Sequence, residues 1–187
     1  MSVDISNIAE ENHSYAIHLA TFQNVIVYKN STFDIAKVSD HTPFESVDFW
    51  RNISLSVEVL LKACLLKHQV AFIKKRAHGK YGDKVTAITN PWLKSVLEAL
   101  EIDYVAQINT GTVSTALKRA ETELFEKVSL DPQDAALISE MFYIIIRTRR
   151  NRNTHFFFSN QSHIKISEVE MLYLPLLNRL ESIYDYS

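Results

Sequence analysis

The chain is predicted to be all-α, an up-and-down bundle of about six helices in one domain, and three observations carry that expectation. Apolar residues recur three and four apart along almost the whole sequence. Helix start and stop signals separate these runs. Only three Gly and four Pro interrupt 187 residues, of which 47% are hydrophobic and 22% charged, a balance of a packed protein with a continuous core rather than a disordered one.

Tyr15, Leu19, Phe22 and Ile26 mark the first helix. The second opens at Thr42-Pro43-Phe44-Glu45, a capping box with Pro in the first turn. Its stripe of Trp50, Ile53, Val57, Leu61 and Cys64 runs for about seven turns at 3.6 residues per turn. Lys74 to Tyr81 is a basic loop with Gly79, followed by Gly82. Asn90-Pro91 caps a short third helix buried through Trp92, Val96, Leu97 and Leu100. Gly111-Thr112 begins a fourth, with Val113, Leu117, Leu124 and Val128 on one side. Asp131-Pro132 starts the fifth, whose stripe is Leu137, Met141, Ile144, Ile145 and Thr148. Ser167-Glu168-Val169-Glu170 is a second capping box, and the last helix follows through Leu172, Leu176, Leu180 and Ile183, with a kink expected at Pro175. Val25 to Tyr28 and His155 to Phe158 are locally strand-like but too short to outweigh their helical surroundings. The sequence holds no internal repeat and no low-complexity tract.

The formal net charge of -2 excludes a uniformly basic coat, so a polyanion must be met by a local patch. Two patches exist: Arg147, Arg149, Arg150 and Arg152, and the loop with Lys74, Lys75, Arg76 and Lys80. The single Cys64 sits among leucines, which excludes a disulfide framework or a cysteine zinc site. The scattered His13, His18, His41, His68, His78 and His163 have no metal-ligand spacing, and no metal or other cofactor is expected. The start, MSVDISNIAEENHS, is acidic and polar, and no apolar run is long enough for a membrane span. A cytoplasmic protein is expected.

Chemistry concentrates at Arg150-Asn151-Arg152-Asn153-Thr154-His155. Asn151 and His155 stand four apart and share a face on a helix. Arg150 flanks Asn151 with a stem long enough to reach the same point. Imidazole moves a proton near neutral pH, and guanidinium holds a phosphate or its transition state by two parallel hydrogen bonds. The competing reading is four arginines in the last turn of a helix, complementing its dipole in solvent. Phe156, Phe157 and Phe158 either stack bases or pack in a core or a dimer contact.

With these residues in view, the chain resembles the HEPN superfamily. Glu58, Lys62, Ala63 and Leu65 match the Glu-x-x-x-Lys-Ala-x-Leu pattern of that family's early long helix, and Arg150, Asn151 and His155 match its Arg-x4-6-His motif near the end of a late helix. The resemblance covers 43–184, with 1–40 a peripheral extension of a single domain, 1–187. It implies a metal-independent endoribonuclease, a toxin or phage-defence effector, acting at a composite site where two protomers of a homodimer meet. His155 is then the general base on a ribose 2'-hydroxyl, Arg150 stabilises the charge that builds on phosphorus, and Asn151 orients either one. Arg147, Arg149, Arg152, Lys74, Lys75 and Arg76 grip the RNA backbone, and an antitoxin or regulatory protein is a further implied partner. Phe157 departs from the Tyr that antitoxin-paired members carry two residues after the His. The alternative within the same resemblance is a non-catalytic HEPN module for dimerisation or for binding a protein or nucleic acid. A helical DNA-binding protein lacks a helix-turn-helix signal. Glu58 and Lys62, one turn apart, are expected to form an ordinary ion pair worth a few tenths of a kcal/mol.

Overall fold

A computed structural model of the chain describes residues 5–36, 41–70, 74–75, 108–109, 113–146 and 163–186. Among these the protein is mostly helical, with five helices, one β-hairpin and one short antiparallel bridge. Helix α1 spans Ile5–Thr21, α2 Pro43–Lys67 and α4 Pro132–Ile145. Helix α3 runs over 113–127 as Val113–Arg119, a π turn at Ala120–Leu124 and a last turn Phe125–Lys127. Helix α5 covers 166–184 in the same manner, with its π turn at Val169–Tyr173. The helix expected after Asn90-Pro91 lies outside the described residues.

Helix α2 is the axis of the core, packed against α1, α3 and α5. Its start follows its sequence: the Thr42 hydroxyl accepts from the Glu45 amide at 3.3 Å, the Glu45 carboxylate accepts from the Thr42 amide at 2.8 Å, and Pro43 occupies the first turn. All five predicted stripe residues, Trp50, Ile53, Val57, Leu61 and Cys64, are fully buried. The helix stops in a Schellman motif, with Gln69 left-handed at φ 55° and the Val70 amide bonded to the Leu65 carbonyl at 2.8 Å. Helix α3 ends by the same device, with Ser129 at φ 51° and the Leu130 amide on the Phe125 carbonyl.

Helix α1 meets α2 through small residues. Ala9, Ala16, Leu19 and Ala20 are buried, whereas the expected stripe residues Tyr15 and Phe22 are exposed. Alanine lets two helix backbones approach, which the Ser56 hydroxyl exploits by donating to the Ala16 carbonyl at 2.7 Å. Ile26, expected on α1, begins strand β1 (Ile26–Lys29), which pairs with β2 (Thr32–Ile35) in register Lys29↔Thr32. Asn30 and Ser31 both have positive φ, the geometry of the two-residue loop that matches strand twist. The helical reading of this stretch is therefore corrected. Phe33 anchors the hairpin: it is buried, and its amide and carbonyl make reciprocal bonds of 2.8 and 3.0 Å with the Asn178 side chain of α5.

Two further expectations shift. On α4, capped by Asp131 and opened by Pro132 as predicted, the buried stripe is Ile138, Phe142 and Ile145, while Ile144 faces outward. In a nearly continuous apolar run, periodicity alone does not choose the face. Helix α5 begins at Ile166 with Lys165 as its N-cap and no side-chain cap, so Ser167 and Glu170 form no capping box. Ile164 and Ile166 pack against the core and draw the start forward. A π turn, Val169–Tyr173, ends two residues before Pro175, where a kink is expected, and the proline itself, which has no amide hydrogen for the α-helical ladder, lies in the first turn of the α-helical stretch Leu174–Tyr184.

Candidate functional site

Of the residues predicted to carry chemistry, Arg147, Arg149, Arg150, Asn151, Arg152 and His155 lie outside the described residues, as does Arg76. The flanks of the arginine-histidine segment are placed. Helix α4 delivers the chain up to Ile146, whose amide bonds back to the Phe142 and Tyr143 carbonyls, so the backbone is still helical there. On the far side, the His163 carbonyl accepts the Trp50 indole N–H at 3.0 Å. Trp50 is fully buried, packs on Tyr173 of α5, and so ties that flank to the middle of α2. Lys74 and Lys75 form a two-residue strand, β3, paired antiparallel with β4 (Ile108–Asn109) in register Lys74↔Asn109 and Lys75↔Ile108. The expected loop is thus fixed at these two residues to the chain that leads into α3.

The two charged residues behind the early-helix resemblance do pair: Lys62 Nζ meets Glu58 Oε1 at 2.8 Å. Glu58 is 7% exposed, so the expected pair is largely withdrawn from water.

The densest ionisable cluster among the described residues is one that spacing did not reveal. Glu181 of α5, 1% exposed, accepts from Nε2 of His13 on α1, which stands 2.9 Å from both carboxylate oxygens. With only acceptors opposite it, Nε2 carries the hydrogen. The Tyr28 hydroxyl of β1 donates to Oε1 of the same carboxylate. Tyr184 stacks flat on the imidazole at a centroid distance of 4.0 Å. Burial, and then the bond to Glu181, pushes the Tyr28 phenol up to about 12, and burial raises Tyr184 as well. Cys64, whose thiol donates to the Leu180 carbonyl at 3.3 Å, is raised too, first by burial and then by Glu181, which keeps it a protonated and unreactive thiol. The cluster clamps α1, the hairpin and α5 around α2. Its one sequence signal is a carboxylate on an apolar stripe, since Glu181 stands between Leu177, Leu180 and Tyr184, all buried.

A cleft of about 580 Å³ lies between the end of α3, α4 and α5, where Arg179 Nε reaches Asp134 Oδ1 at 3.4 Å. Several of its polar side chains are engaged with the protein: Ser182 donates to the Asn178 carbonyl, and Asn178 holds Phe33. Among the described residues no three His, Cys, Asp or Glu gather as a metal-ligand set, and no helix is long and apolar enough to cross a membrane. No protein-family model, curated protein or solved structure matches the chain.

Proposed function

We propose that the protein is a metal-independent endoribonuclease of the HEPN type, a toxin or defence effector that cleaves RNA at a site completed by a second copy of the chain. The observation that carries the reading is the Arg150-Asn151-x3-His155 string a short way beyond Ile145, the last residue of an apolar late helix. The mostly helical architecture and the Glu58–Lys62 pair on the long α2 support it. In the proposed reaction His155 takes the proton of a ribose 2'-hydroxyl, whose oxygen bonds to the adjacent phosphorus. The bond from phosphorus to the 5'-oxygen breaks, and that oxygen takes a proton from water or from the second imidazole. Arg150 stabilises the equatorial oxygens, Asn151 orients His155 or the phosphate, and Arg147, Arg149, Arg152, Lys74, Lys75 and Arg76 hold the backbone. The nucleophile belongs to the substrate.

Incubation of purified protein with total RNA in excess chelator tests the proposal. Fragments ending in 2',3'-cyclic phosphate are expected. Activity lost in chelator and restored by a divalent ion contradicts the mechanism, and intact RNA under all conditions favours the non-catalytic HEPN module.

A further inference from the structure

The exposed face of α3 carries a groove of about 620 Å³ lined by Ser114, Thr115, Lys118, Arg119 and Thr122. Among the described residues, two cations and three hydroxyls make this lining and no carboxylate contributes to it. Glu121 of the same helix lines a different cleft, together with Phe125, Ala135 and Glu140. Among the described residues no carboxylate forms an ion pair with Lys118. Arg119 reaches Glu123 with one guanidinium nitrogen, at 3.9 Å, with both side chains well exposed. A contact that long engages a small part of a fork with five N–H donors. The Thr122 hydroxyl is spent on the Lys118 carbonyl at 2.9 Å, which fixes the backbone that carries the lysine.

The β3–β4 bridge lies close to this groove along the chain. Lys74 faces Asn109 across the bridge, and Asn109 precedes Val113, the first residue of α3, by four positions. Four residues of extended chain reach no more than about 15 Å. The two lysines of β3 are therefore held within a few nucleotide lengths of the groove in a protein whose net charge of -2 demands that any polyanion be met locally.

We infer that the α3 groove is a docking site for the phosphodiester backbone of single-stranded RNA, in which Lys118 and Arg119 each neutralise one phosphate and Ser114 donates a hydroxyl hydrogen bond. The inference deepens the ribonuclease reading and rests on it for the choice of RNA. Backbone contacts of this kind confer affinity without sequence preference.

Fluorescence anisotropy with a labelled, fully 2'-O-methylated RNA, which offers no 2'-hydroxyl for cleavage, tests the groove at several salt concentrations. The Lys118→Ala/Arg119→Ala double variant is expected to bind roughly ten- to thirty-fold more weakly near 0.1 M salt and to lower the salt slope by about 1.4, two single-strand phosphate contacts. Lys29→Ala, which removes a charge from the hairpin, is the control and is expected to bind as wild type does. Unchanged binding by the double variant, a loss matched by Lys29→Ala, or no binding by wild type each overturns the site. A wild-type chain that binds in this groove-dependent way but cleaves nothing removes the ribonuclease reading and keeps the groove. A double variant that binds and cleaves normally does the reverse. Circular dichroism of the double variant confirms that these outward-facing substitutions leave the helices intact.

Discussion

The imidazole of His13 donates to the carboxylate of Glu181 at 2.9 Å across 168 positions of sequence, and this one contact joins the first described helix to the last. Glu181 is almost fully withdrawn from water, so its charge is tolerable only because His13 and Tyr28 both bond to it. Removing the carboxylate leaves two donors facing a gap. Glu181→Ala is expected to cost on the order of 3 kcal/mol, with Glu181→Gln, which keeps the shape and an acceptor, costing less. Chemical denaturation of the two variants measures the difference; equal and negligible losses would show that the clamp contributes nothing.

The same cluster sets a limit on alkaline stability. The Tyr28 phenol is raised from its ordinary 10.0 to about 12, by burial first and the bond to Glu181 second. Between those values the native state keeps a proton that the unfolded chain has lost, so the contribution of Tyr28 is complete below pH 10 and is lost as pH rises toward 12. Tyr184 shifts in the same direction. Tyr28→Phe is expected to flatten the fall of melting temperature over this window, and a slope unchanged by the substitution would refute the assignment.

Much of the helical frame was legible because its signals are local. Thr42, Pro43 and Glu45 define the start of α2 within four residues, and Asp131 with Pro132 does the same for α4. The hairpin was missed because Asn30-Ser31 turns without a glycine, its positive φ values borne by residues that only tolerate them. The α1 stripe was placed correctly at Leu19 alone, because the rest of its contact face is alanine, which carries little hydrophobic signal, while the aromatic Tyr15 and Phe22 point outward. The His13–Glu181 contact has no local signature, being a product of tertiary packing. The arginine-histidine site is legible only as a spacing, for it lies outside the described residues.

A site shared by two protomers requires the chain to pair. Tyr143 and Ile144 are 55% and 47% exposed on α4, the helix that leads to the proposed site. We expect light scattering to give a dimer at micromolar concentration and Ile144→Asp to shift it to monomer with loss of cleavage. A wild-type monomer that cleaves RNA would exclude the shared site.

The most direct test is steady-state cleavage of a defined RNA in excess chelator by single arginine and histidine variants. Arg150→Ala and His155→Ala are expected to lower kcat and kcat/KM together, by about 10²- to 10⁴-fold, without loss of fold. Arg147→Ala, Arg149→Ala and Arg152→Ala should mainly raise KM and weaken its salt dependence. Full activity in Arg150→Ala and His155→Ala, in a protein that cleaves RNA, would contradict the account.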